Sequence, residues 1–394
     1  LAKRILRIIN RLNLGGPTYN VAFLSKFLAP EFETMLLAGI KLDEEESSEF
    51  IVRDMGLQPS YVTAMHRNIN PLEDFAAYRE IKKKIKEFRP DIVHTHAAKA
   101  GTLGRLAAIH CKVPVILHTF HGHVFHSYFG KTKTRVFLEI ERYLAARTSG
   151  IIAISEIQKN ELCNDFKVCP AEKAFVVPLG FDLSRFQTDM DRKRNLFRKK
   201  YLLQDDEIAI GIIGRLTAIK NHTLFLNALA LLKKSSGNKI KAFIIGDGED
   251  RSMLLELCVS LNLKVSEEPD AAADVMFTSW IKDIDIAIAG LDLVALTSLN
   301  EGTPVSLIEA QAGNKAVIST RVGGIENVVA ENRTALLSDS GNAESLSANM
   351  KRLVEDDSLR NSFAEAGWDQ VKDKFHYTGL VGNMRRLYHE LLRS

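Results

Sequence analysis

The sequence predicts an α/β protein made of two doubly wound parallel sheets, each covered by helices on both faces. Three observations lead there. Short β-branched apolar runs alternate with longer helical patterns from end to end, the rhythm of strand–helix–strand units. The length of 394 residues is more than one core holds comfortably and suits two domains. The alternation restarts after a charged stretch near the middle, with no repeat of sequence.

The first set of strand-like runs falls at residues 5–9, 34–38, 92–94, 115–119 and 150–154. The second falls at 175–177, 208–213, 241–245, 275–277, 293–296 and 316–319, with helical patterns at 19–28, 72–88 and 223–234 among others. The stretch Val177-Pro178-Leu179-Gly180-Phe181-Asp182, followed by the charged segment 189–200, reads as the junction. It sets a first domain over 1–190, a boundary within 187–205 and a second domain over 205–377.

Composition narrows the class. A hydrophobic share of 46%, a charged share of 26% and a mean hydropathy near zero predict a soluble globular chain. No run approaches the roughly 18–20 apolar residues of a membrane span. A net charge of +3 is too weak for a dedicated nucleic-acid binder. Cys111, Cys163, Cys169 and Cys258 show no C-x-x-C spacing, which predicts reduced thiols and a cytoplasmic protein. Residues 1–9 are basic and apolar, but Arg7 interrupts them and a Gly-rich turn follows, so they read as a first strand rather than a signal sequence.

Parallel sheets of this kind take ligands in the loops beyond the carboxyl ends of their strands. After the first strand, Gly15 and Gly16 allow backbone N–H groups to approach an anion at a helix N-terminus. A turn that needs glycine sterically explains them equally well. In the second half, Gly214 leads to Arg215 and Lys220 across a strand-to-helix loop. Arg grips phosphate oxygens as a fork and Lys adds a point charge, while two unrelated surface cations are the plainer reading. The stretch 297–310 places Glu301 in a loop, Pro304 in a first helical turn and Glu309 about two turns on. Settings so unlike argue against a hydrolytic carboxylate pair. They suit two hydroxyl-rich ends of one ligand, with Gly302 and the amides of the helix start at a diphosphate between them. Two solvated glutamates remain the alternative at this point.

Other signals weigh less. His94, His96, His118, His121, His123 and His126 invite a zinc reading, but no carboxylate or cysteine completes a familiar spacing. Asp189-Met190-Asp191 and Asp283-Ile284-Asp285 match D-x-D formally, one in a charged linker and one opening an apolar helix. Gly246-Asp247-Gly248 lacks the third glycine of a dinucleotide fingerprint. The aromatic segment 124–129 with Lys131, Lys133, Arg135, Arg142 and Arg147 suggests a peripheral seat on an anionic membrane, or an ordinary amphipathic helix.

In order and spacing these pieces resemble the retaining glycosyltransferases of family 4, which have the GT-B fold. The resemblance rests on Gly15-Gly16, the loop His118-Thr119-Phe120-His121-Gly122, the linker 178–182, Gly214-Arg215 with Lys220, and Gly246-Asp247-Gly248. Its strongest part is the E-x7-E pair Glu301 and Glu309, followed by Thr320-Arg321-Val322-Gly323-Gly324-Ile325-Glu326. It implies two Rossmann-like domains facing across a cleft, the first for the acceptor and the second for the donor, with a last helix at 378–394 returning to the first. It implies that Arg215 and Lys220 hold the donor diphosphate and stabilise the leaving group. Glu309 would bind the ribose, and Glu301 with Gly302, Thr303, Pro304 and Val305 would hold the transferred sugar. Gly16, beside Gly15, would approach the phosphates, His121 would contact the donor sugar near its anomeric centre, and Gly246 and Gly248 would lie near the base. The expected donor is a UDP-linked hexose or N-acetylhexosamine, with no metal and no other cofactor. The expected acceptor is a saccharide or lipid-linked saccharide of the cell surface, met in the cytoplasm or on the inner membrane face. Two competitors are a nucleotide-sugar epimerase of the same fold and a non-enzymatic two-lobed solute-binding protein.

Overall fold

The computed structural model describes residues 2–12, 16–40, 49–66, 68, 70–121 and 131–393. Seven strands form the first sheet: β1 (Lys3–Ile9), β2 (Phe32–Gly39), β3 (Ser60–Val62), β4 (Ile92–His96), β5 (Val115–Phe120), β6 (Gly150–Ala153) and β7 (Ala174–Val176). They lie in the order β3-β2-β1-β4-β5-β6-β7, every neighbouring pair parallel. The second sheet holds β8 (Glu207–Ile213), β9 (Lys239–Ile245), β10 (Val265–Ser266), β11 (Val275–Ser279), β12 (Leu293–Leu296), β13 (Ala316–Thr320) and β14 (Ala335–Ser338). Its order is β10-β11-β9-β8-β12-β13-β14, again all parallel.

Central strands are largely apolar because helices cover both faces, so Ile210, Ile244, Val294 and Ile318 are all buried, while Arg7 on β1 and His94 and His96 on β4 are buried polar exceptions. Edge strands β3, β10 and β14 are not among the expected elements; at two to four residues they are too short for a pattern to register. The run at 175–177, expected to open the second set, belongs to the first sheet as β7. Each sheet reverses direction at its first strand, between β1 and β4 and between β8 and β12. Helices leave such a point towards opposite faces, which opens a crevice at the carboxyl ends of those strands.

The chain forms two compact units, Leu1–Phe181 with Phe375–Ser394, and Asp182–Lys374. The division falls ahead of the expected zone at 187–205. The charged helix Met190–Lys200 is not a linker but the outer layer of the second unit. Its Arg194 and Arg198 pair with Asp292, and Phe197 packs so closely on Gly290 that a Cβ there would lie 2.2 Å from the ring. The last helix, Tyr377–Arg393, returns to the first unit. Leu380, Val381, Met384, Leu387 and Tyr388 recur at helical spacing and share an apolar cluster with Ile5, Phe23 and Phe32. At its start, the Tyr377 ring stacks on Phe23 and Phe27 with centroids 4.9 and 4.6 Å apart.

Candidate functional site

In the second unit, the loops after β8 and β12 meet at the switch point of the sheet. Beyond β8 the chain passes Gly214 and Arg215, makes a short helical turn over Ala218–Lys220, and enters the helix His222–Ser235 through Asn221 at φ 50°. The loop after β12 is tied to it. Thr297 donates its hydroxyl to the carbonyls of Lys220 and Asn221 (3.2 and 2.9 Å), and the Leu299 amide donates to Ile219 (2.8 Å).

That tie brings Lys220 and Glu301, 81 residues apart, into one ion pair: Lys220 Nζ lies 2.5 Å from Glu301 Oε1. Ser298 Oγ donates to the same oxygen at 2.6 Å. Both donors fall on Oε1, and Oε2 has no partner among the described residues. Arg215 is not drawn in. It is exposed, with Nη2 3.8 Å from Glu249 Oε2, and an exposed pair of this kind contributes little to stability.

The Glu301–Gly302 backbone rests on Gly323 and Gly324. The Gly324 amide donates to the Glu301 carbonyl at 2.8 Å. A Cβ on Gly324 would lie 1.9 Å from the Gly302 carbonyl oxygen, and one on Gly323, at φ 48°, would lie 2.2 Å from that of Glu301. Around Gly302 nothing stands within 4 Å of a Cβ. Gly324→Ala is therefore expected to cost about 2–4 kcal/mol of stability and to displace the Glu301 loop. Gly302→Ala should leave the melting temperature unchanged. Thermal unfolding separates the two, and equal melting temperatures for both variants would remove the cradle argument.

Pro304 precedes the helix Val305–Ala312; Leu307 and Ile308 donate to the Pro304 carbonyl (3.1 and 3.2 Å), which leaves the Val305 and Ser306 amides without an acceptor among the described residues, the pair a helix start can offer to an anion. Glu309 lies on this helix, packed densely yet with part of its surface accessible. Burial pushes its carboxyl up to about 7; Arg185 pulls it back and Asp285 adds to the rise. Asp285, the second acid of one D-x-D match, is held by Arg185 and Lys193, each at 2.9 Å. Gly246 and Gly248 have steric reasons of their own. Their Cβ atoms would lie 1.9 and 2.3 Å from the carbonyl oxygens of Gly214 and Leu216, so these glycines let the loop after β9 run beside the loop after β8.

In the first unit, Gly15 lies outside the described residues, as do His123 and His126. Gly16 opens the helix Gly16–Phe27, where a Cβ would meet the Leu179 side chain at 2.7 Å. His94 and His96 on β4 and His118 on β5 are fully buried. Burial pushes all three well below the usual imidazole range, and His121 to about 3. They form a hydrogen-bonded set of neutral rings, with Thr95 Oγ1 2.9 Å from His118 Nδ1 and His96 Nδ1 2.9 Å from His121 Nε2. Among the described residues no group of His, Cys, Asp and Glu is arranged to hold a metal ion. The aromatic stretch expected at a membrane lies outside the described residues. Of the basic residues after it, Arg142 donates to the carbonyls of Phe166 and Lys167, and Arg147 lies over the Tyr143 ring. Among the described residues no helix is long and apolar enough to cross a membrane.

Sequence reasoning singled out Lys220, Glu301 and Glu309 but missed Ser298, Arg185 and Asp285 as their partners, and Arg7 and Tyr388 beside the histidines. Gly323-Gly324 carried a legible signal, two adjacent glycines just beyond a strand. Arg185 carried none, since its approach to Glu309 is made by the fold.

The profile described as Glycosyl transferases group 1 matches residues 193–370, and that described as Glycosyltransferase Family 4 matches residues 24–185. The chain is 27% identical over 340 residues to the UDP-Gal:alpha-D-GlcNAc-diphosphoundecaprenol alpha-1,3-galactosyltransferase of Escherichia coli, covering 86% of this chain and 85% of that one. It is 25% identical over 342 residues to the capsular polysaccharide biosynthesis glycosyltransferase CapM of Staphylococcus aureus, covering 85% of this chain and 86% of the relative. The crystal structure of HepE from Anabaena in complex with UDP has the same fold, with a TM-score of 0.81 at 19% identity over 98% of this chain and 100% of that one.

Proposed function

The chain belongs to the glycosyltransferases of the family 4 and group 1 type, and from that premise we propose a UDP-sugar-dependent, retaining transferase. It moves a hexose or N-acetylhexosamine to a hydroxyl of a saccharide or lipid-linked saccharide, in the assembly of a cell-surface polymer. The observation that carries the reading is the pairing of Lys220 with Glu301 at the switch point of the second sheet, directly ahead of a helix N-terminus. A cation, an acid with one oxygen unoccupied and the Val305 and Ser306 amides answer to a diphosphate bearing a sugar. The two relatives support it: one uses UDP-Gal on a diphosphoundecaprenol-linked sugar, and the other serves capsular polysaccharide synthesis.

In this reading Lys220 and Arg215 neutralise the diphosphate as it leaves, and such preorganised charge is usually the largest catalytic contribution. Arg215 is exposed and held only by a 3.8 Å contact to Glu249, so its side chain is available to the diphosphate. Oε2 of Glu301 accepts from a sugar hydroxyl while Lys220 and Ser298 hold Oε1 in place. Glu309 takes the ribose hydroxyls, the backbone of residues 302–305 meets the phosphates and sugar, Gly246 and Gly248 border the base, and the family resemblance assigns Gly16 to the phosphates and His121 to the sugar. The neutralising charge comes from the two cations, with no metal ion.

Thermal unfolding in EDTA with UDP, GDP or ADP tests this. A ligand at about one hundred times its dissociation constant adds roughly 2.7 kcal/mol to the native state. UDP alone is expected to raise the melting temperature. A rise that requires added Mg²⁺ would overturn metal-free binding, and no rise with any nucleotide would overturn the donor site. The anomeric proton coupling of the product reports whether configuration is retained.

A further inference from the structure

In the middle of β1, Arg7 is fully buried, and among the described residues no carboxylate pairs with it. Its Nε and Nη2 have no hydrogen-bond partner among the described residues. Its Nη1 lies 3.0 Å from His94 Nδ1, 3.2 Å from the Tyr388 hydroxyl and 3.4 Å from His96 Nε2. A buried cation without a counter-ion costs several kcal/mol, so Arg7 burdens the fold rather than supports it.

What Arg7 does is set direction. A guanidinium only donates and keeps its protons at any working pH. The nitrogens that face it, His94 Nδ1 and His96 Nε2, must therefore accept. Both rings are neutral in this buried setting, so each carries its single proton on the other nitrogen. His94 Nε2–H donates to Thr119 Oγ1 at 2.7 Å, and the Tyr388 hydroxyl, 2.6 Å from His94 Nδ1, adds a second donor on the accepting side. His96 Nδ1–H donates to His121 Nε2 at 2.9 Å. With Nε2 accepting, the proton of neutral His121 sits on Nδ1. That nitrogen is buried and has no partner among the described residues. An unsatisfied buried donor costs about 1–3 kcal/mol, a cost removed when an acceptor arrives.

We propose that Arg7 and His96 are positioning residues that lock His121 in one tautomer, with its Nδ1–H held ready to donate to an oxygen of the bound sugar. The relay runs from a permanent donor through one neutral ring to the next, and its direction does not depend on the ligand. The sugar contact at its end rests on the reading of His121 given above.

The test uses the full-length protein labelled with ¹⁵N, with the His121 imidazole signals identified by their loss in His121→Phe. Wild type is expected to show His121 as the Nδ1–H tautomer alone. Arg7→Met and His96→Leu should both lose that single tautomer. They should also lose about tenfold in kcat, equivalent to about 1.4 kcal/mol, with little change in donor KM. His96→Asn, whose amide N–H reaches the place of the imidazole Nδ1–H, should keep the tautomer and most of the rate. Arg7→Met removes an unpaired buried charge and is expected to fold; if it does not, the His96→Leu and His96→Asn pair decides. An Nε2–H tautomer in wild type, or no change of tautomer in the variants, would overturn the relay. A tautomer lost as expected with kcat unchanged would leave the relay standing and remove His121 from the sugar site.

Discussion

Lys220→Ala is expected to lower kcat by about 100-fold or more, the range seen when one preorganised donor to developing charge is removed. The structure adds a complication that the sequence did not show. Lys220 also holds Glu301, a carboxylate with little exposure, so its removal leaves that acid unpaired and perturbs the sugar contact as well. Glu301→Gln separates the two effects, because it dissolves the ion pair and keeps the cation. If Lys220 only positions Glu301, the two single variants should lose equal rate and the double variant should be no worse. If it acts on the leaving diphosphate, the losses in log kcat should largely add. Steady-state rates of the three variants with one donor decide this, and undiminished turnover in Lys220→Ala would show that the diphosphate lies elsewhere.

Glu309→Ala is expected to raise the dissociation constant for UDP by about 10- to 100-fold, since hydrogen bonds to a charged group contribute about 1.5–3 kcal/mol, while saturated turnover changes far less. Its raised pKa adds a pH signature. In the free protein the carboxyl titrates near 7, against the ordinary value of 4.5. Hydroxyl donors of a ribose favour the ionised form, so UDP affinity in wild type should rise as pH goes from about 6 to 8 and then level off. Stability runs the other way. The folded protein keeps a proton here that the unfolded chain releases, so this group's stabilising contribution is complete below pH 4.5 and is lost as pH rises through 7. Glu309→Gln should flatten both profiles. Calorimetric titration of UDP at several pH values reads the first, and an affinity independent of pH in wild type would sink the ribose assignment.

Much of the architecture was legible because parallel strands buried on both faces must be nearly continuous apolar runs, as at 208–213 and 316–319. Loops at the ends of such strands then stood out through Arg215, Lys220, Glu301 and the glycines around them. The domain junction was read late because 189–200 looks like a solvated linker. Its Lys193 is instead drawn onto Asp285 and its Arg194 and Arg198 onto Asp292, acids about a hundred residues away. The histidines were visible as a cluster, but Arg7 gave no warning beyond an odd charge in an apolar strand.

Two Rossmann-like units, the helix returning at the carboxyl end and the strand-end loops that carry Lys220 and Glu301 were determined by the sequence itself, since periodicity and turn chemistry are local properties that survive without a fold. Tertiary structure alone decided which oxygen of Glu301 is occupied, why the Glu309 carboxyl titrates near 7 and which ring nitrogens of His96 and His121 face each other. Those are matters of burial and of partners brought from far along the chain, and electrostatic interactions of that kind exist only once the water between the groups has been removed.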